Sequence, residues 1–251
     1  MSNPFSSARV LVLGGTAEAR ALAAALADAG PTFTSSLAGR VTRPRLPVGQ
    51  VRMGGFGGVD GLAAWCAGEG VTHLVDATHP FATTMTAHAV AAGERAGVPV
   101  LRLARPGWGE HPHAGSWHWV EDIEQARRTA EGLGEAPFVT TGRQTLDRFA
   151  DWAGRRVLVR VVEPLGEDAP VGWTVLEDRG PHRLEDELAV MREHGVDVLL
   201  TKDSGGAYTA AKLEAAHELG IPVVVVARPS IPSGAREVTT VEDVLAWLRT
   251  S

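Results

Sequence analysis

The chain has little with which to cross-link itself: one cysteine, Cys66, in 251 residues. That excludes a disulfide framework and a cysteine-based metal centre. The neighbours Ala64, Trp65 and Ala67 place Cys66 in a buried helical setting. Long hydrophobic runs are absent too, and no stretch approaches the ~20 apolar residues that span a bilayer. Residues 1–7 lack the charged-then-apolar design of a signal peptide. Basic residues are in deficit, with 24 Lys and Arg against 30 Asp and Glu and a net charge of -6, so there is no basic footprint for nucleic acid. No His, Cys and carboxylate cluster has metal-ligand spacing. No repeat of fixed period or low-complexity segment is present. These absences lead to the expectation of a cytoplasmic protein of one or two domains, without metal, membrane or nucleic-acid partner.

What the chain does have is alternation. Short apolar runs at 9–13, 32–37, 51–53, 71–76 and 98–103 read as strands, with helices predicted over 17–29, 60–69 and 81–96. The rhythm breaks at 104–115, rich in Pro and Gly, and resumes with strands at 116–120, 138–141, 157–162, 173–177, 196–201 and 221–227. Helices are predicted over 123–132, 144–153, 183–193, 207–219 and 241–249. Runs that are apolar without alternation belong to parallel strands covered on both faces. The expected fold class is therefore α/β, two Rossmann-like domains with mainly parallel sheets flanked by helices. The break sets the domains at 1–104 and 105–251.

Ligands in such folds sit outside the carboxyl ends of the strands. After the first strand comes Gly14-Gly15-Thr16-Ala17-Glu18-Ala19. Glycines allow a tight turn, Thr16 can cap the helix, and the helix N-terminus offers N–H groups to an anion. The dinucleotide fingerprint G-x-G-x-x-G/A becomes Gly14-x-Thr16-x-x-Ala19 here, with Thr16 replacing a glycine; a purely steric turn has the same appearance. NAD-binding folds end the second strand with an acid that bonds the ribose. This chain has Ser35, Ser36 and Arg40 instead, two hydroxyls and a guanidinium suited to a 2′-phosphate, or else an ordinary polar loop.

Further strand ends carry chemistry. Asp76-Ala77-Thr78-His79-Pro80-Phe81-Ala82 packs a carboxylate, hydroxyl, imidazole and aromatic ring into seven residues. Pro80 suits the first turn of the next helix, with Thr78 or His79 at its cap. In the second half, Thr141-Gly142-Arg143, Lys202-Asp203-Ser204-Gly205 and Arg228 place hydroxyls, glycines and cations along one edge. Each could be a simple capped turn; together they would form an anion-binding rim. Arg105 and Trp108 add a cation and a flat apolar face where the halves meet, a cleft suited to a large planar polycarboxylate.

The motifs Gly14-Gly15-Thr16-x-Glu18-Ala19, Asp76-Ala77-Thr78-His79-Pro80-Phe81-Ala82, Arg105-x-x-Trp108, Thr141-Gly142 and Thr201-Lys202-x-Ser204-Gly205 span nearly the whole chain. In that order they resemble the precorrin-6A reductase family of corrin biosynthesis. The resemblance implies an NADPH-dependent reductase that reduces one double bond of a methylated tetrapyrrole to give precorrin-6B. It implies that Gly14, Gly15, Thr16, Glu18, Ala19, Asp76, Ala77, Thr78, Pro80 and Phe81 hold the cofactor, to which the reading of the second strand end adds Ser35, Ser36 and Arg40. Arg105, Trp108, Thr141, Gly142, Lys202, Ser204 and Gly205 would then face the substrate, joined by Arg143 from the strand-end reading alone. His79 is the candidate proton donor or orienting group, with Asp76 beside it. Transient contact with neighbouring corrin-pathway enzymes is also expected. Two rivals remain open: an NAD(P)H-dependent reductase of a smaller unsaturated substrate, and a non-enzymatic NADPH-sensing module.

Overall fold

A computed structural model describes residues 5, 7–39, 44–165 and 169–250. β1 (Arg9–Leu13) is buried from Val10 onward. Thr16 caps α1 (Ala17–Ala29), its hydroxyl accepting from the Ala19 N–H at 3.1 Å. β2 (Thr32–Leu37), β3 (Gln50–Met53), α2 (Gly58–Gly68), β4 (His73–Asp76), α3 (Thr83–Ala96) and β5 (Val100–Leu103) follow. Next come β6 (His118–Val120), α4 (Ile123–Glu131), β7 (Pro137–Val139), β8 (Val157–Val161), β9 (Trp173–Glu177), α5 (Leu184–Glu193), β10 (Val198–Lys202), α6 (Ala211–Glu218) and β11 (Val223–Val226). β12 (Arg236–Val238) and α7 (Val241–Thr250) close the chain. The segment predicted as a helix over 144–153 is instead a 3₁₀ helix, Arg143–Trp152.

Two parallel six-stranded sheets result, ordered β12-β5-β4-β1-β2-β3 and β6-β11-β10-β7-β8-β9. The orders are equivalent, with a reversal beside β1 in one and beside β7 in the other. Each fifth strand is followed in the chain by a strand of the other sheet: β6 follows β5, and β12 follows β11. The first compact unit is Met1–Pro106 with Pro229–Ser251, and the second is Gly107–Arg228.

The expected boundary at 104/105 thus lies two residues early, and the expected second domain, 105–251, is corrected at its far end. Residues 229–251 return to the first unit, where β12 pairs with β5 from Arg236↔Leu101 to Val238↔Leu103. A three-residue strand after Pro229-Ser-Ile-Pro-Ser-Gly234 is too short for periodicity to reveal.

The central strand β1 is apolar from Val10 onward because both of its faces are covered. Val10 and Val12 pack with Leu22, Leu26, Leu101, Val244 and Trp247 on one face. Leu11 and Leu13 pack with Leu62, Leu74 and Ala89 on the other. Cys66 belongs to that second cluster, and burial pushes its thiol pKa up to about 11. In the second unit Phe138, Leu158, Leu199 and Val225 form the corresponding core. No described helix is long and apolar enough to cross a membrane.

His73, at the buried start of β4, lies edge-on to Trp247 at 5.0 Å, and its Nδ1 is 2.8 Å from the Thr72 hydroxyl. Burial lowers its pKa. Below about pH 6.5 the unfolded chain therefore binds a proton that the folded chain refuses. Stability is full above that pH and declines as pH falls through it. His182 of the second unit behaves alike, lowered by burial and then by Arg160. We expect urea midpoints to fall between pH 7.5 and 5.5, and the fall to be smaller in His73→Leu; an equal fall would exclude His73 as a source.

Candidate active site

The strand order of the first unit reverses between β1 and β4, the place where open α/β sheets bind ligands. The turn after β1 is built for close approach. The Gly14 N–H donates to the Ser36 carbonyl at 2.9 Å, and a Cβ at Gly14 would meet the Cβ of buried Ala19 at 3.2 Å. Gly15 has φ +118°, and a Cβ there would point into space with no atom within 4 Å. The Thr16 hydroxyl donates to the Ala77 carbonyl at 2.8 Å, tying the turn to the end of β4. Helix geometry leaves the Ala17 and Glu18 N–H groups without intrahelical partners. In the same first turn, the Glu18 carboxylate pairs with Arg105 at 2.7 Å.

The neighbouring strand corrects two expectations. Ser35 and Ser36 do not present hydroxyls at a strand end: both lie inside β2, at 1% and 6% exposure. The Ser36 hydroxyl accepts from Arg52 at 3.0 Å. Arg40 lies outside the described residues. Arg52 of β3 was not singled out from the sequence. It donates to the Gly54 and Gly55 carbonyls at 2.8 and 2.9 Å and stacks over Phe56 at 3.8 Å, so it holds the glycine loop after β3.

At the end of β4, Asp76 is 1% exposed and fully engaged. Its Oδ1 accepts from the Thr78 N–H at 3.0 Å and the Thr78 hydroxyl at 2.6 Å. Its Oδ2 accepts from the Thr86 hydroxyl at 2.6 Å and from Arg102 at 2.8 Å. Arg102 also donates to Thr86, to Glu237 at 3.0 Å and to the Pro80 carbonyl at 3.4 Å. With both oxygens occupied out of water, Asp76 sets the shape of the loop that carries His79. The charged Arg102 within the buried run Val100-Leu-Arg-Leu103 is the sequence signal for this network. His79 is exposed, and its Nδ1 accepts from the Phe81 N–H at 3.2 Å. Pro80 does not open the helix: residues 79–82 form a turn, Ala82 caps α3, and neither Thr78 nor His79 is the cap.

The expected substrate residues divide. Arg105 belongs to the first unit, paired with Glu18. Trp108 is not an open apolar face but a core residue, 4% exposed, whose indole donates to the Gly206 carbonyl at 3.0 Å. Its N–H donates to Asp203 at 2.8 Å, and Lys212 lies 4.9 Å from its ring. Thr141, Gly142 and Arg143 follow β7, with Thr141 buried and Arg143 exposed. Lys202 ends β10 half-buried, and burial lowers its pKa. Ser204 and Gly205 follow, the Ser204 hydroxyl 3.2 Å from that of Thr209. These residues share the carboxyl edge of the second sheet.

The precorrin-6x reductase CbiJ/CobK family matches residues 9–249. The chain is 49% identical over 243 residues to a precorrin-6A reductase of Rhodococcus erythropolis, covering 96% of this chain and 98% of the relative. It is 47% identical over 241 residues to a precorrin-6A reductase of Mycobacterium tuberculosis, covering 96% and 97%. A solved structure, CobK precorrin-6A reductase, superposes with a TM-score of 0.85 at 38% identity, covering 97% of this chain and 96% of the other. Matched over nearly its whole length in both sequence and fold, the chain belongs to the precorrin-6x reductase CbiJ/CobK family.

Proposed function

We propose that this chain binds NADPH at the Gly14–Ala19 turn and reduces one double bond of the precorrin-6A macrocycle to give precorrin-6B. Family membership makes it an oxidoreductase of cobalamin biosynthesis acting on a CH–CH bond. The observation that carries the cofactor reading is the turn itself. Gly15 opens onto empty space beside the N-terminus of α1, at the reversal in strand order, and a diphosphate fits such a cradle. The end of β2, Leu37-Ala38-Gly39, carries no carboxylate to repel a 2′-phosphate, and Arg40 follows it. When bound, NADPH supplies the hydride.

The residues of the chain bind, orient and handle the proton. The backbone N–H groups of Gly15 and Thr16 and of the first turn of α1 would receive the diphosphate, with Gly14 allowing close approach and Ala19 packed beneath it. Asp76 and Arg102 set the Ala77–Phe81 loop at the end of β4, which positions His79. His79, exposed and on that loop, orients the substrate or delivers a proton to it. Thr141, Gly142, Arg143, Lys202, Ser204 and Gly205 receive the peripheral carboxylates, where hydroxyls, N–H groups and cations gather on one edge. No residue is required as a nucleophile for hydride transfer.

Three outcomes follow. Gly15→Val should remove NADPH binding, measured by fluorescence titration, in a protein that keeps its circular dichroism spectrum; normal binding would place the diphosphate elsewhere. Arg40→Ala should weaken NADPH by roughly 1.5–3 kcal/mol, about tenfold or more, and leave NADH nearly unchanged. Equal weakening of both would remove Arg40 from the 2′-phosphate. His79→Ala should slow single-turnover NADPH oxidation with precorrin-6A by roughly 10²–10⁴-fold if it acts as an acid, with NADPH binding retained. Wild-type single-turnover rates would remove His79 from the chemistry.

A further inference from the structure

We propose that Arg105 serves the dinucleotide and not the macrocycle: it neutralises Glu18, whose carboxylate otherwise repels the cofactor diphosphate. The inference rests on the reading that NADPH binds at the Gly14–Ala19 turn. Glu18 stands in the first turn of α1, beyond the Thr16 cap. An acid there suits an empty helix, because it complements the positive end of the dipole. It is the wrong charge for a helix end that must accept a diphosphate, since both anions compete for the same N–H groups and the same field.

The geometry resolves the conflict with a cation brought from a distance. Arg105 Nη1 lies 2.7 Å from Glu18 Oε2, and the side chains are only 17% and 24% exposed, which weakens solvent screening of the pair. Arg105 leaves β5, which is separated from β1 by β4. Two strand spacings are on the order of 10 Å, so the guanidinium spans the point at which the strand order reverses. Its origin is fixed from both sides in the chain. The Ala104 N–H donates to the Val238 carbonyl of β12 at 3.0 Å, and Pro106 restricts the backbone of Arg105. A substrate-facing role would require Arg105 to give up this partner and leave Glu18 uncompensated beside a bound diphosphate.

The test is a mutant cycle on the full-length protein with NADPH as the titrant. Arg105→Ala should raise the NADPH dissociation constant about tenfold, the size expected for one uncompensated charge at short range. Glu18→Gln should bind NADPH more tightly than wild type, because the carboxylate that repels the diphosphate is gone while the Arg105 charge stays. The double variant should return to within about threefold of wild type. Raising NaCl from about 0.05 to 0.5 M should shrink the Arg105→Ala deficit. Arg105→Lys, which keeps the charge, should recover most of the affinity, an effect that loss of packing alone would not give. The KM for precorrin-6A at saturating NADPH should stay near wild type in Arg105→Ala. A double variant as weak as Arg105→Ala would overturn the proposal in favour of direct contact between Arg105 and the cofactor. An unchanged NADPH constant with a raised precorrin-6A KM would restore Arg105 to the substrate. Normal NADPH binding by Gly15→Val would overturn the underlying cofactor reading and this inference with it.

Discussion

The buried ion pair between Asp76 and Arg102 constrains the loop at the carboxyl end of β4 in the first unit. Their side chains are 1% and 4% exposed. Two charges so far from water persist only if their remaining lone pairs and protons are used, and removal of one partner from such a pair costs about 3–5 kcal/mol. That requirement dictates the surroundings. Thr78 must fold back over Asp76, Thr86 must bring the first turns of α3 close, and Glu237 must come from β12. The loop that carries His79 inherits its shape from this demand.

The second unit uses the same arrangement with different atoms. Asp203 follows β10, the counterpart of β4 in the equivalent strand order. Arg228 Nε donates to its carbonyl at 3.0 Å and lies 3.4 Å from its carboxylate. The approach of the chain here is so close that a Cβ at Gly107 would fall 2.5 Å from the Asp203 carboxylate. An acid near the end of the fourth strand, answered by an arginine after or within the fifth, thus anchors the loops of both sheets.

Much of this was legible in the sequence because the central strands, β1 and β11 above all, are buried on both faces and apolar almost throughout, and turn residues separate the other elements. β1, α1, β2 and β9 fall where the pattern puts them, and the glycine turn occupies the predicted strand end. The failures have physical causes. β12 is too short to carry a period, so the return of 229–251 was invisible and the domain limits followed the loop at 104–115. Ser35 and Ser36 are polar residues near the end of a correctly placed strand, yet both are buried within it, and Arg52 reaches Ser36 from a strand whose partner sequence spacing cannot identify. Trp108 could be read as a ligand platform or as core, and its indole bond to Gly206 makes it core. Arg105 was placed by its proximity to Trp108 in the chain, although the crossing between units falls between the two, after Pro106.

The return of β12 gives vectorial synthesis an unusual order. The second unit is one continuous stretch, Gly107–Arg228, inserted between β5 and β12 of the first. On a ribosome adding about 5–20 residues per second, the first unit emerges early but waits on the order of ten seconds for its last strand. Throughout that interval β5 is an unpaired edge, and Arg102 lacks Glu237. The part of the protein made first is therefore completed last, and a chain truncated near its end leaves the first unit, not the second, unfinished.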